Sequence, residues 1–211
     1  MKFHYKTFFL FLTLLILPIF SQHHYFQYLT SEDGISQSGA NVVYQDKTGY
    51  IWIGTQAGLN RFNGNSFVVY STNEGLSNDN ITALAEDSTG CLWIGTNTGL
   101  ACLKQDKITE YDLSNNNQTT YIYKLLTDDN GRIWIGTDNG LFIKNDFNFT
   151  KIDSFAGQSH FKVYDIYEDS QQRVWLITEN GLFYHKDNVY KEFTKIQNTT
   201  FYTLTEDCRK R

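Results

Sequence analysis

Apolar residues in this chain fall into runs of four to six, separated by short clusters rich in Asp, Asn, Gly and Ser. No 3.6-residue apolar period appears, which excludes a helical solenoid. The runs recur instead at a fixed interval. Ile51-Trp52-Ile53-Gly54-Thr55, Leu92-Trp93-Ile94-Gly95-Thr96, Ile133-Trp134-Ile135-Gly136-Thr137 and Val174-Trp175-Leu176-Ile177-Thr178 are spaced 41 residues apart and hold all four tryptophans. A fixed period of this length marks a repeat architecture.

Other positions keep the same beat. Asp46, Asp87, Asp128 and Asp169 precede each tryptophan by six residues, and Gly49, Gly90 and Gly131 follow the first three aspartates by three. Gly58-Leu59, Gly99-Leu100, Gly140-Leu141 and Gly181-Leu182 lie six residues beyond each indole. Asp-x-x-Gly predicts a tight turn in which the carboxylate caps nearby amides and glycine takes a positive φ. Thr-x-x-Gly predicts a hairpin with glycine again in a left-handed position. Between the turns lie four strand-like runs per unit; in the first they are Asn41–Gln45, Tyr50–Thr55, Leu59–Phe62 and Ser66–Ser71.

The tryptophan strand is apolar on both faces, so both must be covered. Small antiparallel sheets stacked face to face around an axis meet that demand, and the predicted fold is an all-β propeller of four-stranded, 41-residue blades. Gly54 shares the Trp52 face and leaves room for a neighbouring blade. Gln172 and Ile177 replace the turn and strand glycines of the fourth unit, which is therefore expected to be the least regular.

The ends also align with the repeat. Phe26–Leu29 matches Phe67–Tyr70, and Asp33-Gly34-Ile35-Ser36 matches Glu74-Gly75-Leu76-Ser77. Residues 22–40 are expected to be the outer strand and loop of a ring-closing blade. Blades are expected at 41–72, 81–113, 121–154 and 161–195. Residues 200–211 then begin a truncated fifth blade, with Phe201–Asp207 as its innermost strand. Four full blades plus end strands make an incomplete ring, the front part of a longer protein.

Residues 1–21 read as a signal peptide, with Lys2 and Lys6 before an apolar run from Phe8 to Phe20 and cleavage after Ser21. That run is short for a bilayer span, which needs about 20 residues; an uncleaved anchor is the alternative. Either way the rest of the chain is exported. With 41% hydrophobic and 16% aromatic residues, the 211-residue chain can bury a core, and its net charge of −5 with no basic stripe speaks against nucleic acid.

The sequence offers little catalytic chemistry. The four aspartates sit at equivalent points of different blades and cannot converge, so they are expected to cap turns. His23, His24, His160 and His185 show no ligand spacing with a carboxylate partner; no metal, cofactor or catalytic residue is expected. Cys91 and Cys102 flank one predicted hairpin and could meet diagonally, but are expected to be two small buried hydrophobes. Cys208 leaves the cysteine number odd.

These units, with Asp33-Gly34-Ile35-Ser36 and Glu74-Gly75-Leu76-Ser77 in the linking loops, resemble the two-component regulator propeller repeat. The resemblance implies the exported sensor region of a hybrid two-component histidine kinase of the kind common in Bacteroidetes. Such proteins order tandem propellers, an immunoglobulin-like domain, one membrane helix and a cytoplasmic kinase; several respond to oligosaccharides. It further implies missing C-terminal blades and kinase as partners, and a homodimer in the full-length sensor. Nothing here matches a kinase, ATP-binding or receiver domain. Location would be periplasmic or extracellular. Rival readings are a stand-alone secreted binding or scaffold propeller, and a propeller lyase or hydrolase needing acids and histidines at the central channel.

Ligand contacts are expected in loops on one face: the outer-to-inner connections Asn73–Asn80, Ser114–Thr120 and Ser154–His160, and the second-to-third-strand turns. Candidates are Asn73, Glu74, Asn78, Asn97, Asp138, Asn139, Glu179 and Asn180, whose amides and carboxylates suit an oligosaccharide or another small extracellular ligand.

Overall fold

The computed structural model describes residues 28–113, 119–145, 148–152, 154–155, 157–159, 161–195 and 202–207. The expected leader at 1–21, most of the ring-closing strand and loop positions 114–118 lie outside the described residues.

The turns come first, because they set the register of everything else. In each unit one aspartate oxygen accepts backbone N–H groups two and four residues on; for Asp46 these are Thr48 at 2.9 Å and Tyr50 at 3.0 Å. The other oxygen accepts the indole N–H of the tryptophan six residues on. That bond measures 2.7 Å from Trp52, 3.0 Å from Trp93, 2.7 Å from Trp134 and 2.7 Å from Trp175. The expected turn cap is therefore also the polar anchor of the buried indole, which would otherwise hide an unpaired donor. Gln172 adopts φ 59° and donates its N–H to the Asp169 carbonyl at 2.9 Å, so the fourth turn keeps its shape without glycine.

Four four-stranded antiparallel sheets result, each in simple meander order. Blade 1 holds β1 (Ala40–Gln45), β2 (Ile51–Thr55), β3 (Gly58–Phe62) and β4 (Phe67–Tyr70); blade 2 holds β5 (Ile81–Glu86), β6 (Leu92–Thr96), β7 (Leu100–Lys104) and β8 (Lys107–Tyr111). Blade 3 holds β9 (Ile122–Thr127), β10 (Ile133–Thr137), β11 (Gly140–Asn145) and β12 (Asn148–Ile152). A short hairpin of β13 (Ser154–Phe155) and β14 (Gln158–Ser159) leads to blade 4, which holds β15 (Val163–Glu168), β16 (Val174–Thr178), β17 (Gly181–Lys186) and β18 (Val189–Lys195).

The second-to-third-strand turns are tied by threonine: the buried hydroxyls of Thr55, Thr96, Thr137 and Thr178 donate to the carbonyls of Gly58, Gly99, Gly140 and Gly181. Gly58 and Gly140 take the expected positive φ, at 127° and 104°. Gly99 does not.

The core lies between blades. The tryptophan face of one sheet packs against the Ile/Leu face of the next: Trp52 and Leu59 with Ile81, Leu92 and Ile94; Trp93 and Leu100 with Ile122, Ile133 and Ile135; Trp134 and Leu141 with Val163, Val174 and Leu176. Each such aliphatic side chain taken out of water contributes about 1.5–3 kcal/mol. A Cβ on Gly54 would lie 2.7 Å from Ile81 Cγ2, and one on Gly95 2.6 Å from Ile122 Cγ2, so these glycines admit the neighbour's first inner residue. Ile177 fills the same position in blade 4, fully buried. Blade 4 also has a second bulge at Leu182/Phe183 and the left-handed Gln172, and its four strands are full length.

Innermost strands β1, β5, β9 and β15 stand side by side around one axis. Residues 202–207 continue the series: Leu204 N–H donates to Asp165 Oδ2 at 3.0 Å, and Glu206 Oε2 accepts the Ser170 N–H at 3.0 Å. The second contact repeats those of Glu86 with Lys47 N–H and Glu168 with Asp129 N–H between complete blades. This segment thus occupies the place of a further innermost strand. Among the described residues the ring does not close, and the blade-4 face bearing Trp175 and the largely exposed Phe193 is open.

One expectation fails. Cys91 and Cys102 are joined in a disulfide, with Cα atoms 5.9 Å apart. Trp93 lies opposite Cys102 in the ladder, which sets Cys91 diagonal to its partner across the β6–β7 pair. Both are buried as expected, but bonded.

Candidate functional site

Every innermost strand carries a β-bulge at the same place. The ladder between first and second strands skips Asn41 in blade 1, Thr82 in blade 2, Tyr123 in blade 3 and Tyr164 in blade 4. A bulge frees one residue from the pleat alternation and re-aims its side chain. Here the freed residues gather at the axis, where Asn41, Thr82, Tyr123 and Tyr164 line a cavity of about 380 Å³. A second cavity of about 330 Å³ shares Asn41, Thr82 and Tyr123 and adds Gln56, Asn80 and Tyr121.

The aromatic part is a run of three rings. Tyr121 and Tyr123 centroids are 4.6 Å apart, and Tyr123 meets Tyr164 edge-on at 5.1 Å. Beside them Asn41 Nδ2 donates to Asn80 Oδ1 and to the Ile81 carbonyl, both at 2.9 Å, and Thr82 Oγ1 donates to the Ile122 carbonyl at 2.6 Å. Lys124 pairs with the buried Asp165 at 2.8 Å. Burial, then Tyr164, the Asp138 carboxylate, Tyr121 and Glu179, push the Tyr123 hydroxyl above its ordinary value. The surroundings of the rings are thus weakly acidic.

The loop candidates divide. Asp138 and Glu179 stand close enough to act on Tyr123, and Asp138 Oδ1 also accepts the Tyr121 N–H at 3.1 Å. Glu74 is occupied instead: its Oε2 accepts both the N–H and the hydroxyl of Ser71 at 2.7 Å, closing a capping box on the 3-10 turn Thr72–Glu74. Those bonds hold the Glu74 carboxyl below its ordinary value. Asn73 is exposed in that turn, and Asn78 caps the Asn80 N–H at 2.8 Å. Asn97 Oδ1 is buried without a hydrogen-bond partner. Asn139 Oδ1 accepts from Lys151 at 3.4 Å, and the Asn180 N–H donates to Thr178 Oγ1. Of the connecting loops, Ser114–Thr120 and Ser154–His160 fall partly outside the described residues.

The axial tyrosines were not among the loop candidates. A signal for them was present: aligning the 41-residue units places Asn41, Thr82, Tyr123 and Tyr164 in one column whose chemistry changes while the turn and tryptophan columns repeat. His185 is a packing residue, buried 5.1 Å from the Trp134 ring and 4.7 Å from Tyr190. Among the described residues no cluster of three His, Cys, Asp or Glu side chains could hold a metal ion.

Meander sheets stacked through tryptophan faces around an axis define an incomplete β-propeller. The sequence profile described as two component regulator propeller matches residues 34–57, 75–98 and 117–139. The chain thus carries three stretches that match the two-component regulator propeller repeat. Histidine kinase P4 of Formosa agariphila is 46% identical over 48 residues, which is 23% of this chain and 4% of that protein. Among solved structures, the extracellular domain assigned to a hybrid two-component system of B. thetaiotaomicron superposes with a TM-score of 0.71 at 22% identity. The match covers 81% of this chain and 26% of that one. A catalytically inactive virginiamycin B lyase from Staphylococcus aureus superposes at 0.61 with 16% identity, covering 80% and 60%. The chain spans only a small part of the sensor relatives, and the structural likenesses establish the fold.

Proposed function

We propose that this chain is an exported, non-catalytic input propeller of a two-component sensor, recognising an oligosaccharide or another small ligand outside the cytoplasm. The observation that carries the reading is the repeat itself, matched in three stretches by the regulator-propeller profile. The local identity to a histidine kinase and the likeness to an extracellular sensor domain support it. The Met1–Ser21 leader supports export. Signalling would pass through further blades, a membrane helix and a kinase beyond Arg211, in a sensor that dimerises.

The lyase reading has a fold relative but lacks its chemistry here: the described axial residues present tyrosines, amides and one Lys–Asp pair, and His185 is held between blades. A stand-alone binding propeller is the nearer rival. Differential scanning of the purified chain against a glycan panel tests the ligand class, and stabilisation by at least one oligosaccharide is expected. No shift with any glycan would remove the oligosaccharide. A gene whose frame continues past Arg211 into a membrane helix and kinase supports the sensor; a stop there favours the rival.

A further inference from the structure

In the bulge column Asn41 and Thr82 bond the Ile81 and Ile122 carbonyls of the next blade, whereas Tyr123 and Tyr164 meet ring to ring at 5.1 Å. The three interblade cores are complete without Asn41, Thr82, Tyr123 or Tyr164, and none of the four closes a turn. The position before the bulge is a fully buried aliphatic in blades 2 to 4, as Ile81, Ile122 and Val163, while the position after it changes from Val42 to Ala83, Lys124 and Asp165. The backbone device repeats while the residue it displays does not. That pattern is expected where a uniform scaffold holds an asymmetric ligand.

We propose that Tyr121, Tyr123 and Tyr164, with Asn41, Asn80 and Thr82, form the platform on which a neutral oligosaccharide lies across the propeller axis. This rests on the input-propeller reading and adds both the site and the charge class of its ligand. Tyrosine rings offer flat apolar faces with a polar tip, matching the C–H face and hydroxyl rim of a pyranose. The amides of Asn41, Asn80 and Gln56 supply both donors and acceptors in one cavity. The two cavities, about 330 and 380 Å³, are of the size that small-ligand sites occupy.

Charge selects against acidic sugars. Asp138, Glu179 and Asp165 surround the rings, and the Lys124 ammonium is matched to Asp165 at 2.8 Å. An anionic chain would have to approach carboxylates with little to neutralise it.

The test is calorimetric titration of the full chain with neutral hexasaccharides (maltohexaose, cellohexaose, laminarihexaose, xylohexaose, mannohexaose) and with oligogalacturonate and chondroitin hexasaccharides. At least one neutral probe should bind, and Tyr123→Ala and Tyr164→Ala should each weaken it about tenfold as the stacked ring is lost. Tyr123→Phe, which keeps the ring, should stay within about threefold, and Lys107→Ala, exposed on β8, should leave binding unchanged. Thr82→Phe, which fills the shared cavity, should abolish binding, and serves if a tyrosine variant fails to fold. Neutral-probe binding that survives all of these substitutions overturns the site and leaves the input reading standing. Binding of acidic probes alone overturns the charge class. Failure of every glycan overturns this proposal together with the oligosaccharide reading on which it rests.

Discussion

The indole layer and the axial bulges share one 41-residue period and use it in opposite ways. In the layer, the same Asp–Trp bond recurs in all four blades between 2.7 and 3.0 Å. At the axis, the same bulge recurs but displays Asn, Thr, Tyr and Tyr. Repetition of a side chain marks a packing problem that each blade must solve identically. Repetition of a backbone feature with changing side chains marks a frame on which recognition is built. The comparison predicts that stability resides in the first region and specificity in the second.

Removing one member of each region is the sharpest way to break that comparison. Asp128→Ala leaves the indole N–H of a fully buried Trp134 and the turn amides of Asn130 and Arg132 without their acceptor. Each buried orphan costs about 1–3 kcal/mol, so a loss of about 4 kcal/mol is expected in urea unfolding. Tyr164→Ala, at a half-buried ring outside the cores, should cost under about 1 kcal/mol. Comparable losses in the two variants would show that the axial ring is a packing residue.

A smaller effect separates two glycines of one blade. A Cβ on Gly95 meets Ile122 Cγ2 at 2.6 Å and its Cβ at 2.9 Å, whereas one on Gly99 first meets Ser77 Oγ at 3.4 Å. Gly95→Ala should therefore destabilise by about 2 kcal/mol through overpacking. Gly99→Ala, at an ordinary φ, should change stability by under about 0.5 kcal/mol. Equal effects would mean that blades 2 and 3 are not as closely stacked as described.

Acid should unfold the chain in two stages, one private to the contact between blades 3 and 4 and one common to the repeat. His185 is held below its ordinary value by burial and then by Arg132. A depressed histidine contributes stability above its unfolded pKa of about 6.5 and loses it as pH falls from there. In Asp46, Asp87 and Asp169, burial raises the carboxyl, but hydrogen bonds from the tryptophan indole and the turn groups outweigh it and hold it low. Their contribution is present above about pH 4 and is lost below it. Glu168, raised by burial, works in the opposite sense, since its protonation favours the fold. Melting temperatures from pH 7 to 3 should show both declines, and His185→Phe should erase only the upper one.

Strands, blades and stacking were legible because each depends on local pattern: turn residues at fixed offsets and an apolar run needing cover on both faces. The Asp–Trp bond was half legible; spacing marked both residues, but only folding shows that the turn returns the carboxylate to the indole. The bulges were not legible, because a one-residue slip in register decides which side chains face the axis, and Tyr123-Lys124 reads alike with either one inward. The loop candidates are ambiguous for a related reason. Asn and Glu suit a ligand and a cap equally, and Glu74 and Asn78 are used as caps. The spacing of Cys91 and Cys102 leaves their bond geometrically open, because a diagonal pair is settled by register.

The smallest expected effect concerns the one turn that dispensed with glycine. Gln172 holds φ 59° to keep its N–H on the Asp169 carbonyl, a conformation that costs a side chain about 1–2 kcal/mol relative to the right-handed region. Gly49, Gly90 and Gly131 take the equivalent position with φ between 75° and 95°. Gln172→Gly should therefore relieve the strain, but it also gives the unfolded chain more freedom, which offsets part of the gain. The expected net is a stabilisation of about 0.5 kcal/mol, read as a small rise in the urea midpoint at constant slope. A loss of about 1 kcal/mol or more would mean that the Gln172 side chain stabilises blade 4 by a contact outside the turn. Glycan affinity should not move, because the substitution touches the repeated frame and leaves the bulge column intact.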